Sequence, residues 1–223
     1  MTTAANKAFK TEIQYGDGAT PEEFTTVAEV FGIDPPEAAS ETGDVTSHDS
    51  TKAEFINVGC VDEGEISLDC NWVNDTTDTA VRAKLGGAAS NWQLCLPNWG
   101  ARTATFTANV NDTLTATDHG LTTGQPFRVS TSNTLPDPLA ASTTYYAIYL
   151  TADTFKAATT NANAVAGTPV NITSTGTGTQ TLQAGNKLSF AGLVHVNKLG
   201  PLGIKDKQTV NFKVKITDGV TWA

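Results

Sequence analysis

The clearest periodicity in the chain lies in Glu65–Val73, where Ile66, Leu68, Cys70 and Trp72 alternate with Glu65, Ser67, Asp69 and Asn71. A period of two puts one set on a buried face and the other on a wet one, so the run predicts a half-buried β-strand. Lys207–Thr217 repeats the pattern, with Val210, Phe212, Val214 and Ile216 set against Thr209, Asn211, Lys213 and Lys215. In Lys187–Lys198 the residues Leu188, Phe190, Val194 and Val196 share a face. The Gly- and Pro-containing stretch LGPLGIKD between these two runs favours a reversal, which predicts one long hairpin over residues 187–217. Near the start, Phe9, Thr11, Ile13 and Tyr15 predict a shorter strand that ends at the turn Gly16-Asp17-Gly18.

One helix is predicted. Asp75 or Thr77 can cap a run over Asp78–Leu85 that stops at Gly86-Gly87, with Val81 and Leu85, spaced i and i+4, as its inward stripe. From Asp34 to Lys52 no period is visible. The stretch is polar, contains Pro35-Pro36 and Gly43, and reads as a long loop of the kind that is functional or ordered against something else. Between residues 104 and 182 short candidate strands follow one another: Leu114–Thr117, Pro126–Ser130, Thr144–Leu150, Thr154–Ala157, Val170–Thr173 and Thr179–Leu182. Turn residues such as Asp118-His119-Gly120 and Leu135-Pro136-Asp137-Pro138 separate them.

Charge sharpens this division. Residues 1–103 carry 17 acidic and 6 basic side chains, a balance of −11. Residues 104–182 carry 4 acidic and 2 basic, with Thr at about a quarter of positions, and residues 183–223 carry 2 acidic and 6 basic. The middle segment reads as an inserted all-β module whose ends can meet as adjacent strands, and residues 1–103 and 183–223 as one discontinuous domain. The expected fold class is therefore mainly β: a sandwich or barrel protomer with one short α-helix, plus a small all-β inserted domain.

A hydrophobic fraction of 39% over 223 residues supports a packed core. The net charge of −9 argues against a nucleic-acid binder, because such proteins neutralise phosphates with Lys and Arg. Cys60, Cys70 and Cys95 are odd in number and widely spaced, which points to a reducing compartment and to small packing residues rather than a disulfide framework. No signal-peptide pattern opens the chain and no 18-residue apolar span occurs, so a soluble protein made in a cytoplasm is expected.

No catalytic constellation is visible. His48, His119 and His195 lack metal-ligand spacing, and no nucleophile elbow, P-loop or dinucleotide fingerprint occurs. Asp62-Glu63 and Glu22-Glu23 are pairs that an acidic chain produces by chance. Asp112 and Asp118 lack a calcium loop around them. Trp72, Trp92, Trp99 and Trp222 read as core or interface anchors before they read as sugar platforms. The expectation is a protein without cofactor, resident metal or enzymatic activity.

The outer segments, taken in order, resemble the major tail tube protein of lambda-like siphophages. The series runs FKTEIQYGDG, FTTVAEVFGIDPPE, the acidic stretch ASETGDVTSHDSTKAEFINVG, EGEISLDCNWV, a short helix, NWQLCLPNWG, and the closing runs KLSFAGLVHVNKLG and KDKQTVNFKVKITDGV. The middle segment resembles a small β module, Ig-like or similar, that recurs in phage virion proteins. In the tube family such additions sit outside the tube, though here the module precedes the closing hairpin instead of following it.

The resemblance implies a structural virion protein, assembled in the host cytoplasm into hexameric rings that stack as a tail tube through which DNA passes on ejection. Implied partners are copies of itself and the tail tip or baseplate, tape measure and tail terminator proteins, with no specific DNA binding and no membrane. Glu65, Ser67, Asp69 and Asn71 are then candidates for the lumen, where acidic side chains would repel phosphates. Lys213 and Lys215 share a similar polar face and leave the sign of that lining open. Asp34, Glu41, Asp44, His48, Asp49 and Lys52 mark the stretch expected to contact the next subunit or ring. Competing readings are a host-surface or carbohydrate-binding module, or another tail component such as a tail terminator or a fibre-associated protein.

Overall fold

The computed structural model describes residues 10–73, 76–201 and 207–223, with side chains in the first helix described from residue 79 onward. Phe9, Asp75 and the predicted reversal at residues 202–206 lie outside the described residues. The fold is mainly β. First come β1 (Glu12–Gly16), β2 (Phe24–Thr26), β3 (Val30–Asp34), β4 (Ala39–Asp44), β5 (Phe55–Asp62) and β6 (Glu65–Asn71), then helix α1 (Thr76–Ala83). Next are β7 (Ser90–Cys95), β8 (Arg102–Ala108), β9 (Leu114–Thr115), β10 (Pro126–Thr131), β11 (Tyr145–Thr151) and β12 (Thr154–Ala158). Helix α2 (Asn161–Val165) precedes β13 (Gln180–Ala184), β14 (Lys187–Leu199), β15 (Thr209–Ile216) and β16 (Thr221–Trp222).

The chain forms two compact units. The first holds the chain through Val27, Ser90–Ser189 and the C-terminal Thr221–Ala223. Its centre is a closed barrel in the order β10-β11-β12-β9-β8-β13. Inward positions bury Phe106, Leu114, Phe127, Val129, Phe155 and Leu182, and the Phe127 and Phe155 rings meet edge to face at 5.4 Å. The barrel spans Arg102–Ala184, within two residues of the middle segment at each end, and those ends pair directly, with Arg102 opposite Ala184. Grouping by contacts cuts across the segments drawn from composition, because β1, β2 and β7 join the barrel's unit. β1 lies between β2 and β7, with Gln14 opposite both Thr26 and Gln93.

Two features of the barrel depart from the sequence expectation. Val170–Thr173 is not a strand: its N–H groups donate to three separate partners, Val170 to Ala157 O, Ile172 to Asp112 Oδ1 and Thr173 to Asp137 O. Ile172, 2% exposed, still fills the core from this irregular segment. α2 was not expected, because five residues are too few to show a helical period and only Ala164 is buried. Thr160 caps it by accepting from the Asn163 N–H at 3.1 Å.

The second unit holds Ala28–Ala89 and Phe190–Val220. Here β15 pairs with β14 on one side and β6 on the other, and β6 pairs with β3, all antiparallel. Register explains the alternation. Val210, Phe212 and Val214 stand opposite Cys70, Leu68 and Ile66, and all six are buried, whereas Asn211, Lys213 and Lys215 stand opposite Asp69, Ser67 and Glu65. Each fully buried Phe or Leu contributes roughly 1.5–3 kcal/mol. Of the predicted helix stripe, Val81 is fully buried, but Leu85 is 45% exposed because α1 ends at Ala83. Gly86, at φ 73°, turns the chain and donates to Val194 O at 3.3 Å.

Two further expectations change here. Val196 does not share a face with Val194: a bulge leaves His195 without a cross-strand partner and sets Val196 opposite Lys213. The stretch from Asp34 to Lys52 is a loop only in part, at residues 35–38 and 45–52. Asp34 ends β3, and beyond it β4 pairs with β5 as a separate two-stranded ribbon, with Ser40 opposite Val61 and Gly43 opposite Ile56. Neither face of the ribbon is buried within the chain, so no alternation marks it in the sequence.

Candidate functional site

Two surfaces of the second unit carry the residues singled out from sequence. The first is the wet face of the sheet. Glu65, Ser67, Asp69 and Asn71 do share it, and each finds a partner there. Glu65 takes His195 Nε2 on Oε2 at 2.9 Å and the Lys213 ammonium on Oε1. Asn211 Nδ2 donates to Ser67 Oγ at 2.9 Å and to Asp69 Oδ1 at 2.8 Å, and Asn71 Nδ2 donates to Glu29 Oε2 at 2.9 Å. Lys215 donates to both Asp62 oxygens, at 2.6 and 2.7 Å. Asp34 joins this face, opposite Ser67, instead of the ribbon.

These pairs set the electrostatics. The Lys213 hydrogen bond, helped by His195, holds the Glu65 carboxyl below its ordinary range, and Lys215 with the Gly64 N–H does the same for Asp62. Where an acidic lining was expected, the structure gives a lattice of opposite charges and amides. Lys213 and Lys215, whose role the sequence left open, balance Glu65 and Asp62. Such a face is hydrated without presenting a strong field of either sign.

The ribbon is the second surface. Val45 N–H donates to Glu54 O at 2.9 Å, which closes β4 onto β5, and His48, Asp49 and Lys52 lie exposed at its tip. Asp44 Oδ1 accepts from the Thr46 N–H at 2.8 Å, and bonds from the Thr46 side chain and backbone lower its pKa. Glu41, between Ser40 and Thr42, stands opposite the stretch Val58–Cys60 where β5 bulges, and lies over Gly59, where a Cβ would come within 2.6 Å of it.

Sequence reasoning missed the ribbon's apolar residues. Phe55 is 61% exposed, Ile56 51%, Val58 54% and Val61 58%. Four large apolar side chains exposed along one eight-residue strand are a denser set than the scattered single hydrophobics of an ordinary surface. Phe55 and Val61 point to one side of β5 and Ile56 and Val58 to the other, so both faces are apolar. The signal was present in FINVGCV, a β-prone run at the end of a stretch read as polar. Cys60, expected as a packing residue, is exposed on this strand, whereas Cys70 and Cys95 are buried.

No family model and no curated protein matches the chain. Among solved structures it is similar to a chain of the virion of a native gene transfer agent particle, at 10% identity and TM-score 0.48, covering 98% of this chain and 99% of that one. It is also similar to a chain of the six-fold symmetrised anti-feeding prophage baseplate, at 8% identity and TM-score 0.46, covering 100% and 97%. At these values neither likeness assigns a family.

Among the described residues no group of three or more His, Cys, Asp or Glu side chains is placed to hold a metal ion. No helix there is long and apolar enough to cross a membrane. His119, which the sequence placed in a turn, is 4% exposed, and both ring nitrogens are engaged, with Nε2 3.0 Å from Thr151 O and Nδ1 accepting from the Leu121 N–H.

Proposed function

We propose that the protein is a non-enzymatic structural subunit of a phage tail tube. Copies assemble through the β4–β5 ribbon into hexameric rings, and the rings stack into a hollow tube for DNA. The observation that carries this reading is the ribbon, whose Phe55, Ile56, Val58 and Val61 are exposed and whose strands pair only with each other among the described residues. A paired, two-faced apolar ribbon suits docking onto another copy, because association buries those side chains and the edges accept further strands. The ordered resemblance of the outer segments to tube proteins supplies the identity of the assembly.

In this reading the face bearing Glu65, Ser67, Asp69 and Asn71 lines the lumen. Its acids are matched by Lys213, Lys215 and Asn211, so a polyanion slides past without adhering or being strongly repelled. Glu41, Asp44, His48, Asp49 and Lys52 frame the ribbon's docking surface, Asp34 belongs to the lining, and the Arg102–Ala184 barrel is the inserted module. Tail tip, tape measure and terminator proteins are the partners that such a tube requires. Sedimentation and negative-stain microscopy of the purified chain across a concentration series test the proposal. Rings or hollow tubes are expected. Monomers at every concentration overturn it.

A further inference from the structure

Two cations lie at the stem where the chain enters and leaves the barrel, and neither has a carboxylate partner among the described residues. Arg102 donates from Nη2 to the carbonyls of His119 (3.4 Å) and Gly120 (3.2 Å), but Nη1 is buried and meets no acceptor among the described residues. Lys187 is 7% exposed, and its Nζ donates to Gln125 Oε1, a neutral acceptor 3.3 Å away. The ion pairs among the described residues involve neither side chain. Burial pulls the Lys187 ammonium down to about 8, and the Arg102 charge acts in the same direction.

The nearby acids do not offset these charges. Glu12 is occupied by the Tyr146 hydroxyl at 2.8 Å, the Thr26 hydroxyl at 3.2 Å and Gln14 Nε2 at 3.3 Å. Burial pushes the Cys95 thiol up to about 12, so it is neutral at physiological pH. Beside Arg102 opens a pocket of about 410 Å³, also lined by Thr103, Asp118, His119, Leu182 and Ala184, so that its wall carries a guanidinium and an exposed carboxylate. A buried ammonium beside a half-buried guanidinium of the same sign is costly, and an anion that accepts from the guanidinium offsets that cost.

We infer that this pocket binds a small oxyanion of the phosphate or sulfate class, with the Arg102 guanidinium as the direct donor and Lys187, whose charge interacts with that of Arg102, as a second contributor to the local positive potential. The site lies within the first unit and is independent of the assembly reading.

Isothermal titration of the full chain with inorganic phosphate, and separately with sulfate, at ionic strength held constant with NaCl, tests the site. Saturable binding is expected, weakened roughly tenfold or more in R102Q, as loss of a charge-assisted hydrogen bond predicts. K187M weakens binding to a smaller extent. Circular dichroism establishes that each variant is folded. Should R102Q fail to fold, R102K, which keeps the charge and loses the fork, takes its place and binds more weakly than wild type. Heats equal to those of chloride alone, or an unchanged affinity in the folded Arg102 variant, overturn the assignment.

Discussion

His195 Nε2 stands 2.9 Å from Glu65 Oε2, at the point where β14 bulges and His195 loses its partner across the strand. The bulge re-aims the imidazole onto the carboxylate that Lys213 already holds. Glu65 therefore has a folded-state pKa below its ordinary value of 4.5. A group depressed in this way contributes stability that is fully present above the unfolded pKa and is lost as pH falls through the folded one. Urea midpoints measured between about pH 7 and pH 3 are expected to decline in wild type and to decline less steeply in E65Q. Parallel curves would show that the pair adds nothing to acid stability.

Lys187 gives the opposite slope at alkaline pH. Its folded pKa of about 8 lies below the ordinary 10.5, so between those values the unfolded chain binds more protons and stability rises with pH. The rise has an upper bound of about 3 kcal/mol. K187M is expected to flatten that slope and to be more stable than wild type at pH 7, because an apolar side chain replaces a poorly compensated buried charge. Denaturant titrations from about pH 7 to pH 9.5, in buffers free of phosphate and sulfate, measure both effects. The Tyr146 hydroxyl, raised mainly by burial, opposes the trend only at higher pH.

The ribbon separates assembly from folding. Replacing Phe55, Ile56, Val58 and Val61 together by Thr is expected to change unfolding free energy by no more than about 0.5 kcal/mol per site, since all four are exposed in the single chain. The same variant is expected to remain monomeric under conditions in which wild type forms rings or tubes. Equal assembly by the variant in sedimentation would remove the ribbon from the interface.

Gly124 shows how closely the barrel's β9–β10 connection approaches β2. Its φ is 87°, and a Cβ at this position would lie 2.0 Å from Phe24 O. Gln14 Nε2 donates to its carbonyl at 2.7 Å and Asn161 Nδ2 at 3.0 Å. G124A combines left-handed strain with a backbone clash and is expected to cost about 3 kcal/mol or more, read as a lowered urea midpoint.

Where one face of an element is buried, the sequence was legible. β6 and β15 alternate because Ile66, Leu68, Phe212 and Val214 pack against one another, and that same alternation assigned Glu65, Ser67, Asp69 and Asn71 to a common face. The ribbon was not legible, because β4 and β5 are exposed on both sides and no core imposes a period. The bulge at His195 was hidden for a different reason: Val194 and Val196 look like one face until cross-strand register is known. Gln14 and Gln93 are both fully buried and joined side chain to side chain, yet 79 positions separate them. Nothing local distinguishes either from a surface glutamine.

The direct pairing of Arg102 with Ala184 has an engineering consequence. Antiparallel register partners at that point lie about 5 Å apart, a gap that a tight two-residue turn can bridge. The barrel is thus exchangeable as a cassette in terms of chain geometry, but not in terms of solvation. Excision strips Gln14 of its bond to Gly124 and Gln93 of its bond to Thr122. A graft at this junction therefore calls for apolar residues at positions 14 and 93, or for a replacement module that brings its own hydrogen-bonding groups.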